Sequence, residues 1–526
     1  NLLSEKIRTT RIVFNKKYKM RAKQTSMSLI IVIIIGMLTS CKKDFLDKNP
    51  TAEIASEAFW KSDADAQMGL AGVYRRLQNG FYGQGKLWLD TYSDNALDRH
   101  TFYGFNNLTL GVVNSTNIPG AFYNTPYEGI AGCNFFLDNI DEVPIAGTLK
   151  EGYKAEARFI RAMFYFDLVQ AYGGVVLYET APLTVDDAKI AKSSKEDVLA
   201  FVHSELDFAI ANLPDVAYSG HAVKGSAQAL KAKVYLFQED WPMAASTANE
   251  VITGGKFQIY QGGYENLFLT VTQQNNPEIM FSTKYLAPNN PQGGEGVLVE
   301  VAWYGAIAPY QNLVDEYEMA NGKMINEPGS GYDATNPYNN RDPRLKFTIK
   351  VPTEEYINPD GSVFQETDPL LTTYVQKKYI DLSKLPFDRS KTPLTDQNII
   401  HIRYADVLLM YAEAKNEASG PDASIYAALN QIRQRESVNL PSVDQTMYNT
   451  QDKLRDFILH ERRIELALEG HRYYDLKRRN LMESKLAPLK NPGGAQLVFG
   501  EKGNVLPFSQ SELDRNKQLV QNPGYN

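Results

Sequence analysis

Apolar positions recur with helical spacing over much of the chain. In residues 63–77, Ala66, Leu70, Val73 and Leu77 share one face, and Ser62 stands before them as an N-cap. Residues 156–172 carry Phe159, Ala162, Met163, Phe166 and Val169 at the same spacing, and Gly173-Gly174 stops the run. Ser193 is placed to cap a further helix through Leu213, with Pro214 behind it. Residues 226–237 and 242–252 form a helix pair in which Ala232, Tyr235, Ala244 and Ala248 take the small and aromatic offsets of a tetratricopeptide repeat. A second pair, 404–418 and 423–435, is broken at Gly420-Pro421. The pattern predicts a mainly α fold, a helical array of the tetratricopeptide kind. Residues 79–128 lack periodicity, and 253–400 and 484–526 are rich in Pro, Gly and Asn. They predict irregular inserts, with β-prone runs at 297–303 and 345–351.

A different pattern precedes the array. Lys16, Lys17, Lys19, Arg21 and Lys23 lead into an apolar run at 29–38, which ends in Leu38-Thr39-Ser40-Cys41. Basic, apolar and small-residue regions in that order make an export leader. The run is too short for a bilayer span, which takes about 20 apolar residues. A cysteine after Leu-x-Ser is similar to a bacterial lipobox, which implies cleavage before Cys41 and acylation of its sulfur and new amino group. Several acyl chains anchor a protein stably where one does not. The alternative is a plain secretory leader with an incidental cysteine. Met20 fits the start of the leader, so residues before it are expected to be upstream sequence.

Removing the leader sharpens the charge. Residues 1–40 hold 8 of the 55 Lys and Arg and 1 of the 62 acids, so the remainder carries 47 basic against 61 acidic residues, a net of −14. An acidic body disfavours nucleic acid and anionic lipid and suits a neutral ligand. Besides Cys41 the sequence has only Cys133, set in an apolar stretch and expected to be a buried, inert thiol. Its 526 residues can bury a sufficient core without a disulfide.

Candidate chemistry is sparse. Glu461, Glu465 and Glu469 are four apart and flanked by Arg462 and Arg463. On one helix face they could serve acid–base work, but a buried ion-pair network holding helices together is the better reading. The six histidines show no metal spacing, and no nucleophile elbow, phosphate loop, dinucleotide fingerprint or calcium loop is present. No cofactor is implied. What remains is aromatic and amide-rich: Trp88, Tyr92, Asp94, Asn95, Phe102, Tyr103, Phe105 and Asn106 in one irregular segment, Trp303, Tyr304 and Tyr310 in another. Aromatic faces stack on sugar rings while Asp, Asn and Arg bond hydroxyls, so these segments suit a neutral glycan as well as they suit ordinary loop packing.

The motifs together resemble the SusD/RagB family of outer-membrane lipoproteins of Bacteroidetes. In order they are the lipobox with Asp44-Phe45-Leu46-Asp47; Glu156-Ala157-Arg158-Phe159-Ile160-Arg161-Ala162; Gly225-Ser226-Ala227; Pro309-Tyr310-Gln311-Asn312-Leu313-Val314-Asp315; Arg341-Asp342-Pro343-Arg344-Leu345; Arg403-Tyr404-Ala405-Asp406; Glu461-Arg462-Arg463 through Arg472-Tyr473-Tyr474-Asp475; and Gln521-Asn522-Pro523-Gly524-Tyr525. The resemblance implies about four tetratricopeptide-like helix pairs with loop-rich and short β inserts. It divides the chain into a leader with upstream sequence (1–40), an N-terminal helical part with the aromatic insert (41–290), and a C-terminal part completing one globular body (291–526). It also implies a non-enzymatic, lipid-anchored protein on the exterior face of the outer membrane. Such a protein binds a nutrient glycan as the lid of a SusC-like TonB-dependent transporter. By position, Trp88, Trp303 and Tyr304 are similar to the family's aromatic ligand contacts, and Tyr92, Asp94 and Tyr103 accompany them. The alternatives are a peptide-capturing RagB-like lipoprotein and a secreted glycosidase using a pair such as Asp90 and Asp94. A plain tetratricopeptide adaptor fits the anchor and the inserts poorly.

Overall fold

The computed structural model describes residues 59–525, apart from 84, 101–103, 293–295, 366–371, 388–389 and 391–393. Cys41, expected to carry the lipid, and Tyr103, expected to touch ligand, lie outside the described residues.

Helix α1, Asp63–Arg75, starts as its pattern predicts: the Ser62 hydroxyl accepts from the Asp65 N–H, and Ala66, Leu70 and Val73 are buried. Helix α2, Ala121–Asn139, emerges from a segment expected to be irregular. Pro126 inside it and glycines at 129 and 132 mask its periodicity, yet they have a use in packing. The Gly129 backbone lies so close to α3, Gly147–Tyr172, that a Cβ there would come within 2.2 Å of the Phe164 ring. Helix α3 begins at Gly147 rather than at 156, and its C-terminal half is buried all round, as suits the centre of an array. Helix α4, Lys195–Asn212, is capped by Ser194 rather than Ser193. Asp240 caps α6, Trp241–Gly254, which pairs with α5, Lys224–Phe237.

After the long insert come α7, Tyr404–Ser419, α8, Ala423–Arg433, α9, Gln451–Glu465, and α10, Arg472–Arg478. Each helix from α2 packs on the next through α6; α6 packs on α7, and α7 on α8 and α9. The fold is therefore mainly α, a tetratricopeptide-like scaffold, and Ser62–Asn526 forms one compact unit.

Three short antiparallel sheets tie the inserts down: β1, Ala96–Asp98, with β3, Ile307–Pro309; β2, Ile279–Thr283, with β6, Ile399–Arg403; and β4, Ile349–Lys350, with β5, Val375–Gln376. The first β-prone run is corrected, and the second is strand only at 349–350. Residues 298–303 wind into a π-type turn, and 344–348 are helical before β4 begins. In the first, Leu298 to Ala302 are buried on every side, so the local strand preference yields to packing.

Beneath the helices lies a buried charge lattice. Glu465 accepts from Arg403 at 2.7 Å, Arg435 at 2.9 Å and Arg344 at 3.0 Å. Glu461 takes Arg344 at 2.5 Å and Arg433 at 2.7 Å, and Glu469 takes Arg403 at 2.7 Å and Lys378 at 2.8 Å. The lattice joins the central insert to α8 and α9, which is the structural reading of the acidic row. One detail differs. Helix α9 ends at Glu465, and the chain turns through Leu468 and Gly470, both at positive φ, so Glu469 reaches the lattice from beyond the helix.

Candidate functional site

Pairing of β1 with β3 brings the two aromatic segments together, with Leu97 opposite Ala308 and Asp98 opposite Ile307. Their residues then separate into a support and a surface.

The support holds Trp88, Tyr92 and Asp94, which are 3%, 1% and 1% exposed. Trp88 and Tyr92 pack on Phe105 with ring centroids 6.3 and 5.8 Å away, and Tyr92 stacks on Phe122 at 5.3 Å. Asp94 accepts from Arg472 at 2.8 and 2.9 Å and pairs with Arg463 at 3.1 Å. Burial pushes its pKa up, but the two guanidiniums outweigh burial and hold the carboxyl below its usual range. These three residues were expected at the ligand. In the structure they have no face a sugar could cover, because the turn at 85–92 winds inward against α10. Their part is to hold the loop from below.

The surface is Trp303 and Tyr304, both partly exposed at the end of the π-type turn. Their rings lie 4.7 Å apart at 42°. The Arg99 guanidinium donates to the Tyr304 carbonyl, and the Arg99 N–H to the Ala306 carbonyl at 2.9 Å. His100 meets the Tyr304 ring edge-on at 5.3 Å and lies 3.7 Å from the Glu300 carboxylate. Asp98 anchors this corner by accepting the His100 N–H at 2.9 Å; burial pushes its carboxyl up to about 7 against the pull of that bond and of the Trp88 indole. Two aromatic faces beside a guanidinium and an imidazole can stack a sugar ring and bond its hydroxyls, while the buried Glu300 carboxylate holds His100 in place. Sequence reasoning passed over Arg99, His100 and Glu300. The signal available was Asp98-Arg99-His100 directly beside the aromatic segment.

Comparison with known proteins agrees with this architecture. The family model described as "SusD family" matches residues 272–525, and that described as "Starch-binding associating with outer membrane" matches 44–236. The chain belongs to the SusD family. Among similar members, a SusD-like protein of Formosa agariphila is 29% identical over 525 residues, covering 96% of this chain and 99% of its own. A solved SusD-like carbohydrate binding protein from Bacteroides fragilis is 27% identical, with TM-score 0.76 over 88% of this chain and 100% of its own. A solved laminarin binding SusD-like protein is 26% identical, with TM-score 0.67 over 89% and 100%.

Within this SusD-family fold, the motif residues Arg403, Asp406, Glu461 and Arg462 are buried in ion pairs and so belong to the scaffold. The carboxylate pair considered for glycoside cleavage is closed as well. Asp90 is fully buried and accepts from Asn95 at 2.7 Å, the Gly470 N–H at 2.7 Å and the Leu468 N–H at 3.3 Å. Burial lifts its carboxyl to about 6 despite those bonds. Neither Asp90 nor Asp94 opens on a cleft where a substrate and a water could meet. Among the described residues, no group of His, Cys, Asp and Glu could hold a metal ion.

Proposed function

We propose that this chain is a cell-surface lipoprotein of the outer membrane. It captures a nutrient glycan and delivers it as the lid of a SusC-like TonB-dependent transporter, with Cys41 as the lipid attachment point. The observation that carries the reading is the partly exposed Trp303–Tyr304 pair flanked by Arg99 and His100. Flat, rigid side chains on a strand-braced turn are pre-organised for a sugar ring, so little ordering entropy opposes binding. The laminarin binding and carbohydrate binding neighbours support a saccharide over a peptide, and the outer-membrane family description supports the location. The chain binds and hands on its ligand without cleaving it.

The test is a titration of the body from Lys42 onward against plant, host and microbial polysaccharides and peptide mixtures, followed by calorimetry and tryptophan fluorescence. Saturable binding of a glycan that is recovered intact, weakened in Trp303→Ala, is the expected result. Binding of peptides alone would assign the chain to peptide capture instead.

A further inference from the structure

A groove on the helical scaffold has a charge state that the fold does not balance. Two recesses of about 320 and 330 Å3 meet at Lys477, Asn480 and Asn504, between the C-terminal ends of α3 and α5, the start of α4 and the end of α10. That is within the size range of small-ligand sites, about 300–1,000 Å3. Gln170, Phe237 and Lys195 complete the lining used here.

Most buried cations of this acidic chain are matched to carboxylates, although Arg341 donates only to the Pro337, Val314 and Tyr317 carbonyls. Arg478, which also borders the groove, bonds Glu413 at 2.5 and 2.7 Å and Asp475 at 3.0 Å. Lys477 and Lys195 differ. Lys477 donates to the Gln170 carbonyl at 2.5 Å, and Lys195 lies 4.7 Å from the centroid of the Phe237 ring. Among the described residues neither ammonium has a carboxylate within salt-bridge reach, and the Asn480 and Asn504 side-chain amides have no protein partner. Burial, and then repulsion from Lys195, bring the Lys477 ammonium down to about 7. Two acids line the groove, Glu239 in one recess and Glu483 in the other, and both are exposed. Two lysines, an aromatic ring and unengaged amides form a site that an anionic group would complete, and the anion would favour the charged form of Lys477.

We propose that this groove is a second saccharide subsite, selective for a sugar bearing a carboxylate or sulfate. The anion would bridge Lys195 and Lys477 while Asn480 and Asn504 bond ring hydroxyls. The inference rests on the glycan-binding reading, but it uses residues remote in sequence from Trp303. The full-length protein would be titrated by calorimetry with tetragalacturonate and with a carrageenan tetrasaccharide, against neutral cellotetraose and sodium sulfate. Acidic tetrasaccharides are expected to bind and to weaken about 10-fold in Lys195→Ala and Lys477→Gln, the loss of one charge-assisted bond. The 10-fold ratio between wild type and each lysine variant should persist in a Trp303→Ala background. NMR titration of the lysine side chain should show the Lys477 pKa rising when the tetrasaccharide is bound. Lys195 is exposed, so its variant carries the test if Lys477→Gln unfolds. The subsite is overturned if neither acidic tetrasaccharide binds while a neutral glycan still binds through Trp303, or if their binding ignores both lysine variants. Equal affinity for sodium sulfate would show a free-anion site and also overturn it. Absence of binding by every saccharide would remove the glycan reading together with the subsite.

Discussion

Removing the Glu465 side chain tests the charge lattice most directly. In Glu465→Ala, Arg403, Arg435 and Arg344 each lose a contact of 3.0 Å or less in a site with no measurable solvent exposure. Arg403 keeps Glu278 and Glu469, Arg344 keeps Asp342 and Glu461, and Arg435 keeps only Glu278. Breaking a buried pair by deleting one partner costs about 3–5 kcal/mol. With an unfolding entropy of roughly 2.1 cal/mol/K per residue, the Ser62–Asn526 unit has about 1 kcal/mol/K in total, so Tm should fall by about 3–5 °C. Burial raises the Glu465 pKa, but the three guanidiniums outweigh it and hold the carboxyl at about 2. A depressed carboxylate contributes stability above its unfolded value and loses it only as pH falls through the folded value. The gap between wild type and variant, measured by calorimetry, should therefore be constant from neutral pH down to about 4.5 and close only towards pH 2. A variant melting with wild type at pH 7, or a gap that closes by pH 5, would refute the reasoning. Asp186→Ala, at an ion pair whose carboxylate is 89% exposed, is the control and should leave Tm unchanged.

His460 has the opposite sign. Burial disfavours its charge, but bonds to Glu316 at 2.8 Å and Glu318 at 3.2 Å raise it to about 9. Its contribution is complete below its unfolded pKa of 6.5 and drains away as pH rises through 9, so His460→Gln should flatten the alkaline decline in Tm over that window. Gly129→Ala should destabilise by about 1–3 kcal/mol in denaturant melts, because its methyl meets the Phe164 ring; an unchanged midpoint would show that α2 and α3 can part freely. Trp88→Ala should cost about 3–5 kcal/mol of stability as a core truncation. Its loss of glycan affinity in the folded fraction should be small, whereas equal loss in Trp88→Ala and Trp303→Ala would return Trp88 to the binding surface. Cys133, buried and pushed up to about 12, should resist iodoacetamide until the chain is unfolded.

Periodicity made the scaffold legible. Helices α1 and α4 to α8 stand within a few residues of their patterns, because an amphipathic stripe records which face is buried. Helix α2 was hidden because close packing on α3 demanded glycine where a stripe would have shown apolar residues. The π-type turn was read as strand because β-branched residues also suit a wholly buried coil. At the site, composition marked the right segments without dividing support from surface. Trp88 and Trp303 look alike in sequence, and only the inward winding of 85–92 separates them. Arg99 and His100 gain their place from β1–β3 pairing, a contact across roughly two hundred residues that no local pattern encodes.

The seam between α6 and α7 has a consequence for how the chain is made. These neighbours in the stack are separated by the whole insert from 255 to 403, and within it β2 and β6 pair across the residues from 284 to 398. Closing so long a loop is slow, and nothing local rewards it in advance. On the ribosome, α2 to α6 can assemble early, but the face of α6 that packs on α7 stays uncovered until Tyr404 and its helix have been synthesised. A nascent chain stopped anywhere before Tyr404 would show a sticky apolar stripe, so the last quarter of translation decides whether the earlier three quarters stay out of aggregates.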